Sequence, residues 1–172
     1  MSEGTGFNRW LAGPPVLATL TLPHLRGGLD GADPAQQQAE VALLMRHSDL
    51  VALTTYPYNW MYEEGRRVPE DYFEPKPQYG EPTAVAETGM PSQAFTAFGV
   101  QYDFEVADQT RYIDLLLRTA TELDFVFVVN RAPIDFDPMP ERFPPQVRDL
   151  ATYWAYGCLQ RSDGCPKPAL AI

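Results

Sequence analysis

Four stretches of the chain are apolar almost without interruption and too short for a buried helix: residues 16–22, 50–56, 83–87 and 125–130. A strand with one wet face alternates apolar and polar positions. An unbroken run belongs instead to a strand covered on both faces, as in parallel sheets flanked by helices. Helix-period patterns fall between and after these runs. Asp33 followed by Pro34 reads as an N-cap with proline in the first turn, opening a helix over 35–46 whose apolar side holds Ala39, Leu43 and the Val41, Ala42, Leu44 flank. Residues 107–123 carry Ile113, Leu116, Leu117, Ala120 and Leu123 as one stripe. Residues 145–156 turn Val147, Leu150, Ala151 and Trp154 inward, before Gly157 at a position that often ends helices. The predicted class is α/β, built of strand–helix repeats around a parallel sheet.

Two segments break the repeat. Residues 59–81 hold Gly65, Pro69, Pro75, Pro77 and Gly80 in a mixed charge run, which predicts an extended loop with one short helical turn near 70–73. Residues 132–145 contain five prolines and predict a second long loop. Both leave the C-terminal ends of strands, the side on which parallel α/β folds build their sites. The run over 83–87 ends on that side in Glu87, with Thr88 and Gly89 next, so Glu87 is where chemistry is expected.

Composition narrows the classes further. With 172 residues and 45% apolar content, the chain can bury the core of one domain or of part of one. Its 13 Lys and Arg against 23 Asp and Glu give a net charge of −10, and no basic stripe offsets it. Nucleic acid and anionic membrane surfaces are bound mainly through Lys and Arg, so neither is an expected partner. There is no run of about 18 apolar residues to span a bilayer, and residues 1–4 lack the basic and apolar regions of a secretory leader, so no compartment is indicated. Cys158 and Cys165 flank a six-residue gap and stand either as a small-loop disulfide or as two free thiols. His24 and His47 are too few and too far apart to make a zinc site with them. No metal and no cofactor is expected.

With the residues placed, the chain resembles the C-terminal half of a (β/α)8-barrel glycoside hydrolase of the large retaining clan that includes cellulase-type and endo-galactanase-type enzymes. The resemblance rests on the order of motifs. Asp49-Leu50-Val51-Ala52-Leu53-Thr54-Thr55-Tyr56-Pro57-Tyr58 comes first, then Pro82-Thr83-Ala84-Val85-Ala86-Glu87-Thr88-Gly89, then Gln109, Tyr112, Leu116 and Leu117 on a helix. An apolar strand through Val129 and the tail Gly157-Cys158-Leu159, Gly164, Pro166-Lys167-Pro168-Ala169 complete it, over residues 14–170. The resemblance implies strands five to eight of a TIM barrel, with residues 1–172 as one partial barrel domain. It departs from the clan in two places. The first four β/α units are absent, with the Asn-Glu pair that supplies the general acid/base, and Asn130-Arg131 stand where the eighth strand usually carries a tryptophan.

What the resemblance implies for chemistry is retaining hydrolysis of a β-linked glycoside with Glu87 as nucleophile; read from its residues alone, Glu87 is a strand-end acid, solvated or bonded to a neighbouring backbone N–H. Tyr56 would hold Glu87 in its attacking orientation, or pack at the barrel mouth. Tyr58, Trp60 and Tyr62 would stack on sugar rings or pack an interface. His24 is a candidate for a sugar hydroxyl or a structural residue, Asn130 a candidate hydroxyl ligand, and Asp135 either a hydroxyl ligand or a turn residue. Of the loop acids Glu63, Glu64, Glu70 and Asp71, none is selected by spacing as a second carboxylate, so the isolated half-barrel is expected to be inactive. Four barrel strands alone leave two open sheet edges, which call for an N-terminal half-barrel, self-association or a rearranged open sheet. The expected ligand is a carbohydrate. The rival readings are a non-catalytic carbohydrate-binding or interaction protein on the same scaffold, and a complete small α/β domain.

Overall fold

The computed structural model describes residues 16–22, 33–59, 67–73 and 82–172. Among them, four parallel strands form one sheet in the order β1 (Leu17–Thr21), β2 (Leu50–Thr55), β3 (Thr83–Thr88) and β6 (Val128–Asn130). The apolar runs are therefore strands, and their partners lie parallel. Helix α1 (Pro34–Met45) follows β1, and helix α2 (Val106–Glu122) runs between β3 and β6. The fold class is that of a partial α/β barrel.

The two faces of the sheet are filled differently. Val51, Leu53 and Val85 share the main core with Val41 and Met45 of α1 and Ile113 and Leu116 of α2. On the opposite face, Leu50, Ala52 and Ala84 form a second, small cluster with Ala86 and Phe127 against it. The helices thus cover one face, and the other holds a small cluster of its own, as the filled interior of a barrel requires.

Helix α1 starts as expected. The Asp33 carboxylate accepts from Ala35 N–H at 3.0 Å and Pro34 occupies the first turn. Its buried side is Gln37, Val41 and Met45, an i, i+4, i+8 line, so the expected face through Ala39, Leu43 and Leu44 is corrected: those three are exposed. In α2 the buried face is Gln109, Tyr112, Ile113, Leu115, Leu116 and Thr119. Ile113 and Leu116 sit as expected, but Leu117 and Leu123 are exposed because the helix is rolled toward the polar-capable Gln109, Tyr112 and Thr119.

The largest departure is at helix α3 (Pro145–Tyr153), which has no buried residue. It packs on a hairpin that sequence periodicity did not reveal, β4 (Phe95–Ala97) with β5 (Val100–Tyr102). The hairpin turns at Phe98 and Gly99, both with positive φ, 54° and 74°, the two-residue geometry that matches strand twist. Asp149 of α3 accepts the Phe98 N–H at 2.8 Å and ties helix to turn. The expectation that Val147 and Leu150 point into a core is corrected: they are 42% and 51% exposed. Trp154 caps the helix, so Gly157 lies beyond the helix end.

Candidate active site

The side chain of Glu87 is aimed by an irregularity in β3. Pairing with β2 runs Ala52 to Ala84 and Leu53 to Val85, then jumps to Thr54 with Glu87 and Thr55 with Thr88. The same extra residue appears against β6, where Val85 faces Val128 and Thr88 faces Asn130. Ala86 is thus a one-residue bulge. In a strict period of two, Glu87 would share the helix-covered face of Val85. The bulge instead sets Glu87 level with Thr54, on the face of Leu50, Ala52 and Ala84, and returns Thr88 to the buried face. There Thr88 Oγ1 donates to Thr55 C=O at 2.7 Å and is hydrogen-bonded to Tyr112, while Thr55 is hydrogen-bonded to Tyr72. This threonine–tyrosine layer locks the strand ends from behind.

Tyr56, one residue past β2, donates its phenolic O–H to Glu87 Oε1. Burial first, and then the hydrogen bond and charge of Glu87, hold the Tyr56 phenol well above its ordinary ionisation range. The proton therefore stays on Tyr56, which can serve Glu87 only as a donor and leaves Oε2 without that partner. Gly89 packs beside them: a β-carbon there would be in ordinary van der Waals contact with Gly157 C=O and Tyr56 Cε1, each at 3.4 Å.

Beside Tyr56 stands Trp154, edge-on, with ring centroids 4.6 Å apart. The Arg131 guanidinium lies over the Trp154 ring at 4.8 Å and over Phe136 at 5.2 Å, and donates to the Trp154 carbonyl. Arg131 reaches this position because its N–H bonds Thr88 C=O at 2.8 Å, one strand across from Glu87. Neither Trp154 nor Arg131 was singled out from sequence. The signal was available: Trp154 precedes Gly157 of the tail motif by three residues, and so brings an aromatic ring to the strand end that lacks its own tryptophan.

The remaining candidates separate. Tyr58 takes the packing alternative: it is 2% exposed, its ring lies 5.0 Å from Tyr153, and its hydroxyl donates to Tyr153 C=O at 3.4 Å. Asn130 directs its amide N–H to Ala132 C=O at 3.2 Å and Gly157 C=O at 3.5 Å, and its Oδ1 is buried, so it braces the tail. Asp135 is buried in an ion pair with Lys167 at 2.5 Å and accepts from Cys158 N–H at 3.0 Å. Glu70 pairs with Arg118 of α2 at 3.2 Å. His24, Trp60, Tyr62, Glu63 and Glu64 lie outside the described residues. Cys158 and Cys165 are free thiols, the first buried and the second exposed.

No protein-family model and no curated protein sequence matches the chain. Solved structures do match in shape. An active-site mutant of the Rhizomucor miehei β-1,3-glucanosyltransferase in complex with laminaritriose superposes with a TM-score of 0.56 at 15% identity, over 92% of this chain and 50% of that one. A fungal β-1,4-galactanase gives 0.56 at 16%, over 92% of this chain and 47% of that one. The Dictyoglomus thermophilum β-D-glucuronidase gives 0.57 at 12%, over 95% and 26%. The chain thus spans about half the length of the first two and a quarter of the third. At such identities the likeness is one of fold, and the fold is that of a partial (β/α)8 barrel of the kind glycoside hydrolases use.

Proposed function

We propose that this chain is the C-terminal half of a retaining β-glycosidase barrel, with Glu87 as its nucleophile. The observation that carries the reading is the pairing of Glu87 with Tyr56: a bulge turns the carboxylate onto the helix-free face at the C-terminal strand end, and a buried phenol orients one of its oxygens. Parallel α/β folds place reacting groups there. The β-1,3-glucanosyltransferase, β-1,4-galactanase and β-D-glucuronidase that share the fold support the same class.

In this reading the free oxygen of Glu87 attacks the anomeric carbon as the glycosidic C–O bond breaks, and a second carboxylic acid gives its proton to the departing oxygen. Water then attacks the glycosyl ester, its proton passing to that same second group, and releases the sugar with Glu87 restored. Retaining geometry needs the two carboxyl groups about 5–5.5 Å apart. Among the described residues, Asp135 is buried in its ion pair with Lys167, and Glu70 is paired with Arg118 on the surface. In this reading the acid/base belongs to a second (β/α)4 unit set against the edges that β1 and β6 leave unpaired among the described residues, and the chain without it is inactive.

The test is covalent trapping with a 2-deoxy-2-fluoro-β-glycoside in the longest open reading frame that contains this chain. Mass spectrometry should find the adduct on the peptide bearing Glu87. Undiminished turnover in Glu87→Gln would reject the assignment.

A further inference from the structure

On the side of Trp154 the surface opens into a pocket of about 430 Å³ that the hydrolytic step does not use. Its walls are Phe136, Met139 and Phe143 from the loop after β6, facing Val147 and Leu150 of α3. Arg131, stacked on Trp154, completes the lining. Trp154 is shared: one edge meets Tyr56 of the candidate site, and the ring also lines the pocket. Trp154 thus stands between the pocket and Tyr56.

Its chemistry is lopsided. The walls are carbon, and the polar group in the lining is a guanidinium. Among the described residues Arg131 has no carboxylate in ion-pair range, in a chain whose net charge is −10, whereas the buried Lys167 is paired with Asp135. Arg131 spends one N–H on the Trp154 carbonyl and keeps a planar fork of donors suited to a carboxylate. A sugar ring needs several hydroxyl partners, and these walls supply none. A flat apolar group ending in an anion satisfies both the walls and the cation, and the volume lies within the range of small-molecule sites.

We propose that this pocket binds the aglycone of the glycoside, and that the aglycone is an aromatic carboxylic acid held with its ring between Phe143 and Leu150 and its carboxylate on Arg131. The word aglycone rests on the glycosidase reading of Glu87; the ligand chemistry of the pocket does not.

The probe is 4-hydroxycinnamate, compared with its methyl ester and with cellobiose, by calorimetry and quenching of tryptophan fluorescence on the 172-residue chain. The acid should bind one to one and about tenfold or more tighter than the ester, the scale of one charge-assisted hydrogen-bonded pair. Arg131→Gln should erase the acid–ester difference, Arg131→Lys should restore part of it, and Leu150→Glu on the exposed helix face should weaken acid and ester alike. Glu87→Gln should leave acid binding unchanged, so a failed trapping experiment and a failed pocket are told apart. Equal binding of acid and ester, tighter binding of cellobiose, or no saturation overturns the proposal. So does a concentration-dependent dimer abolished by Leu150→Glu, which would give the pocket to a second copy of the chain. Should Arg131→Gln fail to fold by circular dichroism, the acid–ester ratio in the parent protein and the Leu150→Glu loss still decide.

Discussion

Replacing Lys167 by methionine should destabilise the protein far more than replacing Lys167 and Asp135 together, provided the second change is to asparagine. The two side chains are 3% and 5% exposed and 2.5 Å apart. Each has a further duty: Asp135 Oδ1 accepts Cys158 N–H at 3.0 Å, and Lys167 Nζ donates to Tyr156 C=O at 3.1 Å. Lys167→Met leaves a carboxylate buried without its counter-charge, which costs about 3–5 kcal/mol. In Asp135→Asn/Lys167→Met no charge is stranded, and the amide oxygen still accepts from Cys158. What is lost is the donor to Tyr156 C=O, a cost of about 1–3 kcal/mol at most. The double variant should therefore be the more stable by about 2 kcal/mol, a sizeable part of the 5–15 kcal/mol that holds a typical domain. Guanidinium unfolding followed by tryptophan fluorescence measures it, read at equal m-values so that the midpoints report stability alone. A single variant as stable as the double would mean that solvent reaches the pair, and would refute the argument.

Other consequences are open to direct measurement. Tyr56→Phe deletes a hydrogen bond to a charged oxygen, worth about 1.5–3 kcal/mol. In an active, completed barrel kcat/KM should fall about 10- to 150-fold with the fold intact, and an unchanged value would detach Tyr56 from Glu87. Burial pushes the Cys158 thiol from its ordinary 9.0 up to about 11, with Asp135 adding to the shift. The folded chain therefore keeps a proton that the unfolded chain releases, and stability should be full below pH 9 and decline between pH 9 and 11. That part of the decline should vanish in Cys158→Ala; a decline identical in both proteins would assign it elsewhere. Phe98 is an exposed aromatic at φ 54°, so Phe98→Asn should stabilise the hairpin by about 1 kcal/mol and raise Tm by about 2–4 °C in a scanning melt. A lower Tm would show that its ring contact with Tyr153 outweighs the backbone strain.

The sheet was legible because residues 16–22, 50–56 and 83–87 are apolar or β-branched almost throughout; burial on both faces explains this for residues 50–53, but β1 buries only Ala18 and Leu20 and leaves Leu17, Thr19 and Thr21 exposed. The fourth run was legible only in part: Asp124 takes a positive φ of 51° as the chain turns off α2, and although Val126 N–H and Phe127 C=O already bond β3, the regular strand β6 is three residues long. The hairpin was hidden for a related reason. Its strands have three residues each, with Thr96 and Gln101 outward, and its turn uses Phe-Gly in place of the Asn-Gly or Asp-Gly that mark such turns. The stripe of Val147, Leu150, Ala151 and Trp154 was grouped correctly, since periodicity says which residues share a helix face. What covers that face is decided by the rest of the fold, and here it looks into a pocket. The aim of Glu87 was beyond any period-two reading, because only pairing with Thr54 on one side and Val128 on the other reveals that Ala86 is extra.

That pairing also constrains how a second carboxylate could reach the site. A strand added to the β1 edge stands three strand spacings from β3, about 14 Å along a flat sheet. Two glutamates projecting side by side from such strands keep that separation, well beyond the roughly 5–5.5 Å of a retaining pair. Closure changes the geometry, since in an eight-stranded barrel the inward side chains converge on a common axis and a separation along the sheet becomes a shorter chord. The small residues on the helix-free face, Ala52 and Ala84 with Ala86 beside them, leave the room such convergence needs. Edge pairing by itself would satisfy the N–H and C=O groups that β1 and β6 leave open among the described residues, and still leave Glu87 without a proton donor. It follows that dimerisation alone does not predict hydrolysis. A partner restores activity only if it bends the sheet shut, so labelling of Glu87 by the fluorosugar should track barrel closure and remain absent from edge-paired dimers of this chain.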